Sequence, residues 1–164
     1  MACLRRLAAA LAKALAVTAA LGLLILVLLL VVDLFGRNLF GFTTTFANEW
    51  SSFVNGAVIM LAAPLALLKG EHIRVELVLM LRSRRLGRIL TLLADAICVL
   101  VAAYLCYAVA AMAWESLVND RRSTWVMRTP LWIPQAALAA GAAALVLAAL
   151  HHLLSSFVST GRGR

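Results

Sequence analysis

Between Lys13 and Asp33 the chain runs from Ala14 to Val32 without one charged residue, and nearly every side chain is Ala, Leu, Val or Ile. About 19 such residues, coiled as a helix, match the ~30 Å hydrocarbon thickness of a bilayer. Soluble helices of this length confine their apolar residues to a stripe, because the opposite face meets water. Here no polar face exists, which points to a helix surrounded by lipid. A cleaved signal peptide is the competing reading, since Arg5, Arg6 and Lys13 form a basic start. The apolar stretch exceeds the usual ~7–15 residues, however, and no A-x-A cleavage site follows it. An uncleaved span is therefore expected.

Three further stretches repeat the pattern. One opens near Asn48-Glu49-Trp50 and closes at Leu68, with Pro64 inside it; one runs from about Ile89 to Trp114 and carries a single acid, Asp95; one runs from about Leu131 to Leu150. A proline is tolerated in mid-span where neighbouring helices satisfy the freed carbonyl, and Pro134 lies in a first helical turn, whose N–H groups are unbonded in any case. With 65% hydrophobic and only 13% charged residues among 164, no length remains for a soluble domain. The expected fold is an all-α integral membrane protein forming one membrane domain over residues 1–164. Its four transmembrane helices fall near 14–33, 48–68, 88–114 and 131–152.

Charge placement predicts orientation. Alternate sides of the spans carry eleven and four Lys and Arg. The richer side holds the N-terminal tail, the connection between the second and third spans, and the C-terminal tail, so the positive-inside rule puts both termini in the cytoplasm. The formal net charge of +8 is accounted for by these flanking clusters rather than by a nucleic-acid surface.

The connection after the second span has its own pattern. From Glu71 to Leu81 it is too short to cross a bilayer yet too apolar for a solvated loop. Ile73, Leu77, Met80 and Leu81 share one helical face, with Arg82, Arg84, Arg85 and Arg88 behind them. That predicts an amphipathic helix over about 71–85, lying in the membrane interface against lipid headgroups or a partner. The fourth span places Ala137 with Gly141 and Ala140 with Ala144, a small-xxx-small spacing that lets helices approach closely in lipid.

Polar residues are few. Asp95 lies about two turns past Ile89, within reach of Arg88, Arg85 or headgroup water, and is expected to be interfacial. Glu49 shares a helical face with Ser52, Phe53 and Gly56 beside Trp50, an interface anchor, and is a candidate for contact with a partner helix or a positive group. Cys98 and Cys106, eight apart on one helix, are roughly 12 Å from each other and cannot form a disulfide. His72, His151 and His152 all lie at span ends, so no two histidines face each other across the hydrocarbon as a haem anchor requires. No catalytic residue, metal site or cofactor is expected.

Arg37 after the first span, Asn48-Glu49-Trp50 opening the second, Gly56 within it, and above all Lys69-Gly70-Glu71-His72-Ile73-Arg74-Val75 followed by Arg82 and Arg84 carry a resemblance. The chain resembles the small permease subunit, DctQ-type, of tripartite ATP-independent periplasmic (TRAP) transporters. The 69–75 run looks like that family's Gly-x-His-Ile-x-Val element. Two departures are Asn48, where the family usually has a second acid, and Leu81-Arg82-Ser83, where a proline often precedes the basic run. The resemblance implies a heterodimer in the bacterial inner membrane. In it a large permease subunit carries the substrate and sodium sites, a periplasmic binding protein delivers an organic acid, and the small subunit braces the scaffold. Contacts to the large subunit or to membrane lipids are then expected at Arg37, Glu49, Trp50, Gly56, His72, Arg74, Arg82, Arg84 and Arg85. Two other classes compete. A self-sufficient four-helix exporter acting as a dimer would place an acid in the middle of the first span, which has none. A membrane anchor for a redox enzyme would show a Soret band.

Overall fold

The structure, a computed structural model, describes residues 2–41, 45–69, 84–125 and 127–161, with side chains described throughout these except at 2–8, 45–46, 48, 84–88 and 157–161. The described residues form four helices: α1 (Ala2–Phe40), α2 (Thr45–Lys69), α3 (Arg84–Val118) and α4 (Trp132–Gly161). Each includes a segment long and apolar enough to cross a membrane: Ala9–Phe40, Glu49–Lys69, Ile89–Val118 and Trp132–Ser156. The all-helical, four-span expectation is met.

The helices outrun the expected spans. α1 has 39 residues, about 58 Å at the α-helical rise, against a hydrocarbon core of ~30 Å. Charges such as Lys13, Asp33 and Arg37 bound the membrane-embedded part of a helix but do not break the helix itself. What ends α1 is Gly41, whose φ of 68° is the left-handed conformation that closes helix C-termini and that glycine adopts without a Cβ clash. α3 ends differently. Asp120 takes φ 43°, and the Arg121 N–H donates to the Ser116 carbonyl at 2.9 Å, the long-range bond of a Schellman cap with aspartate in the glycine position.

The helices do not form a closed ring. α4 touches each of the other three, α1 pairs with α2, and among the described residues α3 touches α4 alone. α1 meets α2 along a stripe spaced by sevens, with Ala12, Ala19 and Leu26 buried and Gly22 in ordinary contact with Val54 and Val58. Such a repeat keeps one seam facing a neighbour over many turns. α3 also buries one stripe, including Ala102 and Ser116, while Leu100, Tyr104, Tyr107 and Trp114 point outward. Outward apolar side chains are what a lipid-facing surface requires. α4, the central helix, buries small residues on more than one side: Gly141, Ala142, Ala144, Ala148 and Ala149. Ala140 is exposed, so of the two expected small-residue pairs the one turned inward is Ala137, half-buried, with Gly141, buried.

The described residues of the connection from α3 to α4 hydrogen-bond to one another. The Ser123 N–H donates to the Thr129 carbonyl at 2.9 Å and the Leu131 N–H to the Arg121 carbonyl at 3.1 Å, so the connection folds back on itself as a short hairpin. The Arg128 N–H closes a turn onto the Trp125 carbonyl at 3.0 Å. Arg128 is itself left-handed, at φ 49°. The ion pairs Arg121–Glu115 and Arg122–Asp120 are exposed and contribute little to stability.

Candidate functional site

Three arrangements carry the chemistry of this chain, and the first is a backbone contact between α2 and α4. Pro64 of α2 is fully buried and has no N–H, so the Met60 carbonyl four residues earlier loses its intrahelical donor. Gly141 of α4 sits against that carbonyl: a Cβ added there would lie 2.7 Å from both the Met60 carbonyl carbon and its oxygen, and 3.0 Å from the Leu61 nitrogen. The proline and the glycine, distant in sequence, thus belong to one feature. One level nearer the 119–131 connection, Gly56 faces Leu138 of α4, and a Cβ there would make ordinary contact at 3.8 Å.

The second arrangement ties α3 to α4 at both ends. At the end nearer the chain termini, Ser156 Oγ donates to Asp95 Oδ2 at 2.6 Å, and His152 Nδ1 lies 3.1 Å from Asp95 Oδ1. The Asp95 and His152 side chains are only 14% and 19% exposed. At the opposite end, the Gln135 amide, oriented so that both its atoms find partners, donates to Ser116 Oγ at 2.7 Å and to the Met112 carbonyl at 3.1 Å. Asp95 was expected to look toward Arg85, Arg88 or headgroups. Its oxygens are taken by α4, because Asp95 lies seven residues before Ala102 and twenty-one before Ser116, on the stripe of α3 that faces α4.

The third is Glu49. It is 2% exposed, and both carboxylate oxygens are sealed from solvent without a hydrogen-bond donor.

The remaining expected contact residues divide clearly. Arg37 is exposed in the last turn of α1, and Trp50 is half-buried and hydrogen-bonded or otherwise engaged. Arg84 and Arg85 are the first two residues of α3, with side chains outside the described set. His72, Arg74 and Arg82, with the rest of the expected interfacial helix up to residue 83, lie outside the described residues. Sequence reasoning did not pair His152 and Ser156 with Asp95. The signal was present: two polar residues four apart at the end of one span, level with an acid at the matching end of the span before it. No group of three or more His, Cys, Asp or Glu capable of holding a metal occurs among the described residues.

A helical membrane subunit of four spans, whose polar groups serve helix packing near the two ends of the bundle, is the class these features define. The chain belongs to the DctQ component family of the tripartite ATP-independent periplasmic transporters, whose family model matches residues 26–159. That match takes in the last part of α1 from residue 26, all of α2 and α3, and α4 as far as residue 159. Among curated proteins, no match is found.

Proposed function

We propose that this chain is the bracing subunit of a TRAP transporter in the bacterial inner membrane, holding the large permease subunit while that subunit moves an organic acid with sodium. The observation that carries this reading is how little charge lies at membrane depth, since the acids inside the spans, such as Glu49 and Asp95, stand near a span end. Residues 14–32, 50–68, 96–114 and 136–150 contain no Asp, Glu, Lys, Arg or His. A transport pathway for a carboxylate or a cation needs such groups or a polar cavity, so the pathway belongs to another chain. Family membership supplies that chain's type: a large permease, served by a periplasmic binding protein.

The same reading places both termini in the cytoplasm, on the strength of the eleven-to-four distribution of Lys and Arg. The segment 71–85 then lies along the cytoplasmic interface. His72, Arg74, Arg82, Arg84 and Arg85 there contact the large subunit or anionic headgroups, and Arg37 and Trp50 do so at the opposite face. Gly56, on the same face of α2 as Glu49, is proposed as a further contact with the large subunit or lipid, although it also faces Leu138 of α4 with room for a Cβ. Reporter fusions at each terminus test the orientation: a reporter active only in the periplasm should stay silent at both.

Reconstitution tests the function. In liposomes with an inward sodium gradient, uptake should require the large subunit, this chain and the binding protein together. Uptake by this chain and the binding protein without the large subunit would overturn the bracing role. Undiminished uptake by the large subunit and binding protein alone would do the same.

A further inference from the structure

Every acid whose side chain is described has an answering group except one. Glu115 pairs with Arg121, Asp120 with Arg122, and Asp95 with His152 and Ser156; Asp33 is engaged as well. Glu49 alone keeps two buried carboxylate oxygens with no donor. A buried carboxylate without hydrogen bonds loses its hydration and receives nothing in return. The chain does have cations at that end of the bundle, Arg37 and Arg128, both exposed and in no ion pair among the described residues. The fold brings neither to Glu49.

We infer that Glu49 is the receptor for a cationic side chain, an arginine or a lysine, of the large permease subunit, and that its carboxylate is paired only in the assembled complex. This rests on the bracing role proposed above and names the chemistry of one contact within it. A guanidinium suits the site best, because its planar fork satisfies both carboxylate oxygens at once.

The location allows entry. Glu49 is the fifth residue of α2. Since Gly22 meets Val54 and Val58, the antiparallel register puts Glu49 about two turns further toward the 41–45 connection, level with Leu29 of α1. One turn along its own helical face is Ser52, which is exposed, and beside it is the half-buried Trp50. Glu49 is two turns from Gly56 on the same face of α2, the face that meets Leu138 of α4, and turning the long Glu49 side chain about its own bonds toward Ser52 takes the carboxylate to the exposed edge of that face.

Glu49→Gln, which keeps the shape and removes the charge, is tested in two preparations: this chain alone in detergent, and this chain titrated with the large subunit. The expected changes have opposite signs. Alone, the variant melts at a higher temperature than the wild type, because an unanswered buried charge is gone. With the large subunit, it binds about tenfold more weakly or worse, as on losing one partner of a desolvated charge pair. Glu49→Asp, which keeps the charge on a shorter stem, falls between. Unchanged binding would overturn the inference by making the carboxyl a bystander. Lower stability and weaker binding together would overturn it too, by making Glu49 a folding residue of this chain. Neutralising the Arg and Lys residues of the large subunit one at a time should reveal one whose loss matches Glu49→Gln and adds nothing to it in the double variant. Strict additivity at every position would sink the pairing. Wild-type subunits that fail to associate at all would overturn the bracing role along with it, which separates that failure from a failure at Glu49 alone.

Discussion

On one side of α4, the seam with α2 is closed by shape: Gly141 leaves no room for a methyl group against the Met60 carbonyl, and buried alanines continue the close approach. On the other side, the seam with α3 is closed by hydrogen bonds placed at its two ends, Asp95 with His152 and Ser156, and Gln135 with Ser116 and Met112. The difference follows from what each outer helix has behind it. α2 is held from both sides, by α1 and by α4, whereas α3 has α4 alone among the described residues. In lipid, where apolar contact with a neighbour is no better than apolar contact with a hydrocarbon tail, a helix with one neighbour needs directional bonds to keep its register. A helix with two neighbours can rely on fit.

The contrast is broken most severely at Gly141. Gly141→Leu drives a branched side chain into Met60 and Leu61 backbone that cannot move aside, and forces α2 and α4 apart. Overpacking of this kind costs about 1–3 kcal/mol or more, enough to lower the thermal midpoint in detergent and to expose the seam to cysteine labelling. Gly56→Ala is the control on the same pair of helices, since its added Cβ reaches only Leu138 at 3.8 Å. It should change the midpoint by less than about 0.5 kcal/mol-equivalent. If both glycines respond alike, shape is not what closes this seam.

The seam with α3 should respond to loss of bonding rather than to volume. Asp95→Ala removes the partner of both His152 and Ser156. Interhelical hydrogen bonds in membranes average ~0.6 kcal/mol each, with ~1.7 at the upper end, so a loss of about 1–2 kcal/mol is expected. The measurable sign is a wider spread of distances between spin labels at the Asp95 and His152 ends of α3 and α4, with the α2–α4 distance unchanged. Asp95→Asn, which can still accept a hydrogen bond, should lose less than half as much. Gln135→Leu, at the other end, removes two interhelical bonds and should cost about 1.2 kcal/mol by the same average.

These two seams were legible from the sequence to different degrees. The number of spans followed from hydropathy alone, because nineteen uncharged residues beginning at Ala14 allow little else. Helix lengths did not, since a charge such as Asp33 or Arg37 marks where lipid ends and not where the helix ends; Gly41 was the true stop. Small-residue spacing pointed to Gly141, but not to Met60, because the matching feature is a carbonyl freed by Pro64 and leaves no trace in side-chain pattern. Asp95 looked interfacial while its neighbours along the chain were considered, and its partners lie more than fifty residues away. Glu49 was marked as a contact residue from its place beside Trp50. That its oxygens are buried and unanswered emerges only from packing.

The connection between α3 and α4 offers the smallest and sharpest test of whether the α3–α4 pair is held at its ends. Arg128 adopts φ 49°, a conformation that costs a residue with a Cβ roughly 1 kcal/mol and costs glycine almost nothing. Its guanidinium makes no ion pair among the described residues and is exposed. Arg128→Gly therefore relieves strain in the turn onto Trp125, offset in part by the greater freedom of the unfolded chain. The net expectation is a gain of up to about 0.5 kcal/mol. If α3 keeps its place through its hydrogen-bonded ends, tightening this hairpin should also narrow the distance distribution between labels at the ends of α3 and α4 that it joins, while that between α2 and α4 stays as it was. A gain in stability with no narrowing would show the hairpin to be independent of the seam, and would leave the Gln135 bonds to Ser116 and Met112 as the means by which that end is held.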